Sequence, residues 1–388
     1  MRAIYLDHNS TTPLLPAVAE AMQQCQAANM ANPASQHAAG RRARQALEDA
    51  REGIAEILGA KTVGQQADRL IFTSGGTEAN NLALFGLAGQ ASGTIYVSGI
   101  EHPSVLAPVE RLAQLGWQVQ ELPANSDGVV SLDGLESGGL PNSPEPLLMA
   151  LMLGNNETGV LQPVQQAAAI CRKAFANRHS AVHLHTDAVQ AVGKIPVDFQ
   201  ALGCSTLAFT AHKFHGPRGI GGLMVRHDVQ LHPQMFGGFQ QAGLRPGTEP
   251  VALAVGMHAA LLLWQQKQVA RRQHLTMLRD RFETQILAEL PKVVVNGQGA
   301  ERLPHTSNLA FVGLDRRALV MALDMQGVAC STGSACASGS SEPSSVLLAM
   351  QLPVEIVASS LRFSFGATTT TEDLDEAVRR IVAVCRQQ

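Results

Sequence analysis

STLAFTAHKFHGPRG, at residues 205–219, is a short apolar strand that ends in a hydroxyl, an imidazole, an amine and glycines. The amine is that of Lys213. A lysine at a strand end, walled by apolar residues and near other cationic groups, has a lowered amine pKa and can attack a carbonyl group. The stretch therefore favours a Schiff-base lysine, and its other interpretation is a lysine in a surface loop.

Two side chains just before this lysine are suited to an anion. Thr210 and His212 could hold a phosphate beside Lys213. Pyridoxal 5'-phosphate (PLP) has an aldehyde for the lysine and a phosphate for these side chains, so one segment would serve both ends of one cofactor. The glycines at 219–222 form too short a pattern for a dinucleotide-binding fingerprint.

A second segment, residues 69–81, predicts a strand, a glycine turn and a helix with regularly spaced apolar residues. Gly75 and Gly76 would let the backbone approach a phosphate, and Thr77 would add a hydroxyl. The unpaired N–H groups of a first helical turn point at such an anion. The alternative is an ordinary capped helix.

Two further strand ends carry side chains suited to an aromatic cofactor. Asp187 falls at the end of the strand in the segment 181–190, where ligands bind in α/β sheets, and could pair with a protonated pyridine nitrogen. Gln190 could reach the ring hydroxyl. His102, in the turn at 98–104, could stack on the ring and move protons near neutral pH. The alternatives are an aspartate that caps the next helix and a structural histidine.

Composition predicts an ordinary globular protein. The chain has 388 residues, of which 45% are hydrophobic and 16% charged, and a mean hydropathy of +0.04. A formal charge of −3 argues against nucleic acid as a partner. No signal peptide is recognised, and the longest apolar run, 251–264, is too short for a membrane span. We expect a cytoplasmic protein without a membrane partner.

Six cysteines without a Cys-x-x-Cys pair predict neither a disulfide framework nor a metal site. Cys336 differs from the others because residues 329–343 are nearly all small and polar. Such a loop is mobile and exposed, and its thiol can act as a nucleophile that visits a cofactor and leaves again. The alternative is a linker with an incidental cysteine. Cys330 has no role that the sequence assigns.

Helices alternate with short apolar strands along most of the chain, which predicts a parallel sheet with crossover helices. The predicted elements are a helix at 35–59 and strands at 70–73, 95–98, 147–153, 182–186 and 206–210. From about residue 252 the regular alternation of strands and helices gives way to a long helix followed by strands and helices, which indicates a second, smaller domain. Its predicted elements are a long helix at 252–287, strands at 293–295 and 307–311, a helix at 317–325 and a closing helix after 372.

Seven motifs, in this order along the chain, resemble those of the cysteine desulfurases of the nitrogen-fixation and iron–sulfur-cluster type, in the class V aminotransferase group of PLP fold-type I. They are NPAS at 32–35, SGGTE at 74–78, EH at 101–102, NNETG at 155–159, HTDAVQ at 185–190, AHK at 211–213 and GSAC at 333–336. The resemblance extends from residue 5 to residue 366.

The resemblance implies an α/β fold in which a large domain has a mostly parallel central sheet flanked by helices, with a smaller α+β C-terminal domain. The large, PLP-binding domain would comprise residues 14–255. Residues 1–13 and 256–388 would form the small domain that carries the mobile loop of Cys336.

The resemblance also implies a role for each candidate residue. Lys213 would form the Schiff base, Asp187 and Gln190 would hold the ring, and His102 would stack on it. The phosphate would be held by Gly76, Thr77, Thr210 and His212. Thr248 would reach the phosphate of the neighbouring subunit, which implies a homodimer. Arg362 would clamp the substrate carboxylate with help from Asn156, also a cofactor contact, and Asn32.

The implied reaction converts L-cysteine into L-alanine and leaves a persulfide on Cys336. The amine of Lys213 would take the α-proton, and His102 would handle the thiol proton. The persulfide would pass to a sulfur-acceptor protein, either a scaffold or a thiol carrier, for iron–sulfur cluster assembly or another sulfur transfer. The family's longer tail helps to dock the scaffold, whereas this chain stops at Gln388, so the acceptor is left open.

Two other functions are weighed against this one. A selenocysteine lyase or another class V enzyme would keep Lys213 and Asp187 but would not need a thiol on a mobile loop. A sulfur carrier or metal-binding scaffold without cofactor would use Cys330 and Cys336 but leave Lys213 unexplained. The sequence leaves the preference between cysteine and selenocysteine open, because both substrates have the same carboxylate and amine.

Overall fold

A computed structural model describes residues 2–28, 31–138, 140, 145–176, 181–333 and 342–387. The strands are β1 (Ile4–Tyr5), β2 (Arg69–Thr73), β3 (Thr94–Ser98), β4 (Gln118–Leu122), β5 (Leu147–Ala150), β6 (Val182–Asp187), β7 (Thr206–Thr210), β8 (Gly221–Val225), β9 (Val293–Val295), β10 (Thr306–Phe311), β11 (Val328–Ala329) and β12 (Ser360–Ser364). The helices are α1 (Pro16–Ala27), α2 (Ala38–Ile57), α3 (Gly76–Ala88), α4 (Pro103–Gln114), α5 (Asp133–Gly138), α6 (Val164–Ala176), α7 (Phe199–Leu202), α8 (Val251–Glu289), α9 (Arg316–Met325), α10 (Ser345–Ala349), α11 (Val354–Ala358) and α12 (Thr371–Cys385).

The central sheet has seven described strands in the order β2-β8-β7-β6-β5-β3-β4. Neighbours from β7 to β4 are parallel, and β8 is antiparallel to both β7 and β2. β2 therefore runs in the same direction as β7. The carboxyl ends of β2, β3, β5, β6 and β7 consequently lie at one edge of the sheet, where ligands bind in α/β folds.

Both faces of this sheet are covered by helices. Leu70 and Phe72 of β2 belong to one hydrophobic cluster and Ile71, between them, to another. Alternation of this kind puts successive side chains on opposite faces. The first cluster includes apolar residues of α2, α6 and α8, and the other includes those of α3 and α4. The predicted α/β fold with a mostly parallel central sheet is confirmed.

A second, antiparallel sheet has the described order β12-β10-β9, and β1 pairs with β11. A third cluster packs these strands against α9, α12 and the end of α8, with residues taken from 4–6 and 275–384. α8 is a helix of 39 residues, and it contributes to the first cluster at 254–261 and to the third at 275–286. The domain boundary expected between residues 255 and 256 stays a prediction.

The predicted elements agree with the structure apart from their ends. The strand predicted at 147–153 ends at Ala150, and the helix predicted to begin at Ser35 begins at Ala38. His37 caps α2, because its side chain accepts a hydrogen bond from the backbone N–H of Gly40. In the described ranges, no helix is both long and apolar enough to cross a membrane.

Candidate active site

Lys213 ends a single 3-10 turn, Ala211–Lys213, which follows β7 directly. Its Nζ donates hydrogen bonds to the backbone oxygens of Asn9, at 2.5 Å, and Ser10, at 2.8 Å. The carbonyl of Lys213 accepts one from Nζ of Lys194, at 2.6 Å. Lys194 is buried, and burial, helped by the charges of Lys213 and Arg271, lowers its pKa to about 7. The candidate Schiff-base amine is therefore held at the ligand-binding edge of the sheet.

The glycine turn after β2 leads straight into α3. A Cβ added to Gly75 would meet no described atom within 4 Å, so the space beside this backbone is open. A Cβ on Gly76 would meet Cγ2 of Val189 at 2.8 Å and Cγ2 of Thr210 at 3.7 Å. The start of α3 therefore lies next to the ends of β6 and β7, and the N–H groups of a first helical turn, which have no acceptor within their own helix, suit an anion there.

Asp187 lies at the end of β6 and is nearly buried. Its Oδ1 accepts a hydrogen bond from the backbone N–H of Val189, at 2.9 Å, and its Oδ2 accepts one from Nδ2 of Asn80, at 2.7 Å. The alternative interpretation of Asp187, a cap of the next helix, is wrong, because the next described helix is α7, which is capped by Asp198. The contact with Asn80, from the middle of α3, was not foreseen.

His102 is the N-cap residue of α4. Its Nδ1 accepts a hydrogen bond from the backbone N–H of Ser104, at 3.1 Å, and lies 2.7 Å from Oγ of Ser104. Burial lowers the pKa of His102; Asp187 opposes this shift, and the positive charges of Lys213 and Arg362 add to it. The ring is therefore neutral at pH 7.

The remaining residues expected around a cofactor lie beside the same turns. Gln190 donates from Nε2 to the backbone oxygen of Asn9, at 3.1 Å, and its Oε1 is buried without a partner among the described residues. The hydroxyl of Thr210 donates to the carbonyl of Ile220, at 3.0 Å. Burial lowers the pKa of His212 to about 4, with Lys213 as the next cause.

Arg362, on β12, is 1% exposed. Its Nη1 donates to the carbonyls of Gly333, at 2.6 Å, and Asn156, at 3.0 Å. Its Nη2 donates to Oδ1 of Asp7, at 2.7 Å, and Oγ of Ser10, at 2.9 Å. We call Arg362 and these four partners the Arg362 cluster. Within the described residues, Nε of Arg362 and Oδ1 of Asn156 are buried without partners.

The segment from Asp7 to Ser10 joins Lys213 to Arg362. The carbonyls of Asn9 and Ser10 hold the lysine, while the side chains of Asp7 and Ser10 hold the arginine. The sequence analysis gave this segment no role. A backbone carbonyl has no signature in a sequence, and the only signal was that these residues fall within the range of the resemblance.

Two expected site residues, Asn32 and Thr248, form no hydrogen bond with this group within the described part of the chain, and a third, Cys336, lies outside that part. Asn32 is exposed, and its Oδ1 accepts a hydrogen bond from the backbone N–H of Ala34 at 2.9 Å. Thr248 is exposed. Cys330 is described, and burial raises its thiol pKa, with Asp7 as the next cause, so this thiol stays protonated.

Comparison with known proteins gives a consistent result. Residues 4–377 match the family model described as Aminotransferase class-V. The chain is 40% identical over 394 residues to the cysteine desulfurase IscS of Dictyoglomus turgidum. The aligned region covers 99% of this chain and 96% of that protein.

Solved structures agree with this match. A NifS-like protein from Rickettsia africae has a TM-score of 0.89 at 28% identity, and all of both chains is covered. SspA, solved in complex with cysteine, has a TM-score of 0.78 at 30% identity, covering 95% of this chain and 100% of that chain. The chain belongs to the class-V aminotransferase family and, within it, to the cysteine desulfurases.

Proposed function

We propose that this cysteine desulfurase binds PLP at the edge of the central sheet and moves the sulfur of L-cysteine to Cys336. One observation carries the proposal: Ser10 contacts Lys213 through its carbonyl and Arg362 through its hydroxyl. The amine for the cofactor and the guanidinium for a substrate carboxylate are thus held by one residue. The relative SspA, which was solved with cysteine, supports this choice of substrate.

The side chains around Lys213 fit PLP. An anion would be accepted by the open start of α3 at Gly75. The carboxylate of Asp187 suits a protonated pyridine nitrogen, and the unpartnered Oε1 of Gln190 suits a ring hydroxyl. When bound, PLP would supply an aldehyde for the lysine and a conjugated ring that takes up electrons from the α-carbon of the substrate.

The phosphate would be held by Gly76, Thr77, Thr210 and His212. For Thr210 this contact requires that its hydroxyl proton leave the carbonyl of Ile220, which it now binds. His102 would stack on the ring, Asp187 would pair with its nitrogen, and Asn156 would be a further cofactor contact.

The substrate carboxylate would bind Arg362, whose buried Nε has no partner among the described residues and is a donor that a carboxylate can use. Asn156 and Asn32 would assist. Nζ of Lys213 would take the α-proton and return it. The thiolate of Cys336 would attack the substrate sulfur, so that the C–S bond breaks as the S–S bond forms. The balance is L-cysteine plus Cys336 thiol giving L-alanine plus Cys336 persulfide.

The partner subunit and the sulfur acceptor belong to the same proposal. Thr248 would reach the phosphate of a second copy of the chain. The loop before it supports such an interface, because Phe236 and Phe239, close in the chain, are 86% and 96% exposed, and exposed large apolar side chains in one loop are suited to an interaction surface. The persulfide on Cys336 would pass to a scaffold protein or thiol carrier.

The experiment compares wild type with Lys213→Ala, Cys336→Ala and the control Cys385→Ala. Each protein is assayed for PLP absorbance and for alanine and sulfide release from L-cysteine with a thiol reductant. Wild type and Cys385→Ala should be yellow and active. Lys213→Ala should lose the absorbance of lysine-bound PLP, and Cys336→Ala should keep it but release no sulfide.

Two results would overturn the proposal. Full sulfide release by Cys336→Ala would point to a lyase that needs no protein thiol. A wild type that stays colourless and inactive after incubation with PLP would contradict the proposal that this protein binds PLP.

A further inference from the structure

A chain of hydrogen bonds runs through the interior behind Asp187. It begins at Oγ1 of Thr206 on β7, which lies 2.9 Å from Nδ1 of His185 on β6. Nε2 of His185 lies 3.0 Å from Oδ1 of Asn80 on α3. Nδ2 of Asn80 donates to Oδ2 of Asp187, at 2.7 Å, and to Oγ of Ser104, at 2.8 Å.

The last link joins Ser104 to Nδ1 of His102, at 2.7 Å. We call the six residues the Asn80 network: Thr206, His185, Asn80, Asp187, Ser104 and His102. Asn80 is 0% exposed and sits at the branch point, so both its amide hydrogens are used within the protein.

The direction of each bond follows from the carboxylate of Asp187. An ionised carboxylate only accepts, so Asn80 must present its NH₂ group to Asp187 and its oxygen to His185. Burial lowers the pKa of His185 to about 3, so that ring carries one proton. The proton must be on Nε2, facing the oxygen of Asn80, and the hydroxyl of Thr206 then donates to Nδ1.

The other branch ends on His102. Because Oγ of Ser104 accepts a hydrogen from Asn80, its own proton is directed to Nδ1 of His102. The backbone N–H of Ser104 donates to the same nitrogen, at 3.1 Å. Two donors on Nδ1 require a lone pair there, and a neutral imidazole then carries its proton on Nε2.

We infer that Asn80 is a positioning residue that, through Ser104, keeps the proton of neutral His102 on Nε2 and closes Nδ1 to any ligand. His102 can then act towards a ligand only as an Nε2–H donor. The expectation that His102 takes the thiol proton requires a lone pair at the site, and this tautomer has none there. The ligand that His102 faces rests on the proposed function, but the tautomer does not.

Charges outside the Asn80 network also act on the pKa of His102. Asp187 raises the pKa of His102, and Lys213 and Arg362 lower it, after burial as the main cause. Glu101, next in the chain, is itself buried, which raises its pKa to about 8, with Asp187 adding to the shift. The pKa of His102 therefore reflects both these charges and the hydrogen bonds, so the test also measures which ring nitrogen carries the proton.

The test measures the ring-nitrogen shifts of His102 by ¹⁵N NMR in the histidine-labelled holoenzyme, and again after PLP is removed. The His102 signals are those lost in His102→Gln. Wild type should show a protonated Nε2 and an unprotonated Nδ1. In Asn80→Asp, the new carboxyl should share one proton with Asp187, which lies 2.7 Å away, and accept the hydroxyl of Ser104. A serine lone pair then turns towards Nδ1, and the pKa of His102 should rise by about one unit.

A matched control is Asn296→Asp. Asn296 is buried, and its Nδ2 also bridges two acceptors, Oδ1 of Asn308 at 2.7 Å and Oγ of Ser360 at 2.9 Å. It lies in the antiparallel sheet region and should leave the His102 shifts unchanged. Ser104→Ala removes only the hydroxyl link and should raise the pKa of His102 by less than Asn80→Asp does.

A wild type with the proton on Nδ1 overturns the inference. So does Asn80→Asp with an unchanged tautomer and titration, because the backbone N–H of Ser104 would then suffice. If Asn80→Asp does not fold, Ser104→Ala decides, and an unchanged titration again overturns the inference. Failure of the proposed function looks different: sulfide release would be absent in wild type, whatever the tautomer of His102.

Discussion

The Asn80 network and the Arg362 cluster are two buried sets of polar side chains at the candidate active site, and they differ in what they leave open. Every side-chain polar atom of Asn80, His185 and Asp187 has a partner within the protein. In the Arg362 cluster, by contrast, Nε of Arg362 and Oδ1 of Asn156 have none among the described residues.

This difference separates two tasks. A fully paired buried network is rigid, because any rotation leaves a polar group unsatisfied, and it can orient a neighbouring group without binding a ligand. Unpaired buried donors and acceptors lower the free energy of unfolding until a ligand forms hydrogen bonds with them. The first set therefore positions His102, and the second is suited to receive a substrate.

The strongest test of the comparison is Arg362→Gln. It should lower kcat/KM for L-cysteine by about 10²- to 10³-fold, because a buried charged donor to the carboxylate is lost. It should also lower the free energy of unfolding by about 3 kcal/mol, since Asp7 loses its ion pair. Steady-state kinetics and urea unfolding measure the two effects.

The control is Arg281→Gln, because Arg281 also binds one aspartate, Asp375, through two hydrogen bonds of 2.8 Å, but on the surface. Its kinetics and urea midpoint should match wild type. Equal losses in the two variants would mean that the Arg362 cluster has no special relation to substrate.

A smaller effect is expected from His185→Phe, which removes both hydrogen bonds of His185 and keeps an aromatic ring. It leaves the oxygen of Asn80 and the hydroxyl of Thr206 unpaired and should cost about 2 kcal/mol of unfolding free energy at pH 7.5. The measurement is urea unfolding of both proteins between pH 7.5 and 5.

The pH dependence provides the check. The pKa of His185 is about 3 in the folded protein and near 6.5 unfolded, so the unfolded state binds the proton first as pH falls. Wild type therefore loses up to about 1.4 kcal/mol per pH unit below 6.5 from this group, and the variant does not. The difference in free energy of unfolding between wild type and His185→Phe should decrease below pH 6.5. A difference that does not change with pH would contradict a neutral, buried His185.

The smallest effect is expected from Thr206→Val, which removes only the donor to Nδ1 of His185. It should cost about 1 kcal/mol in urea unfolding and leave the Nε2 proton of His185 in place. Thr186→Val is the matched control on β6, since Thr186 is equally buried but outside the Asn80 network. If Thr206→Val is as stable as wild type, the network does not extend to β7.

The sequence predicted most of the buried strands, but it named no strand at β8 or β12, whose residues are also all buried. β7 was predicted with its observed ends. The strand predicted at 147–153 ends at Ala150 because its pairing with β3 stops there: the N–H of Met152 donates to a carboxyl oxygen of Glu101, while Leu151 and Leu153 still donate to carbonyls of β6. β4 was missed, since only Leu122 of its residues is buried and an edge strand of this kind has no hydrophobic pattern.

The site was predictable where chemistry lies at strand ends. Lys213, Asp187 and His102 each follow or end a strand, and parallel strands bring such ends to one edge. Asn80 was not predictable, because its partner His185 is 105 positions away in the chain and nothing local marks a helical asparagine as part of a network.

α8 has a consequence for how this chain tolerates insertions and deletions. Its 39 residues form one continuous ladder about 58 Å long, at 1.5 Å per residue. One residue inserted between 262 and 274 would rotate the rest of α8 by about 100° relative to the first cluster. Leu275 and Phe282 would then leave the third cluster. Insertions and deletions should therefore be tolerated in surface turns and not within α8.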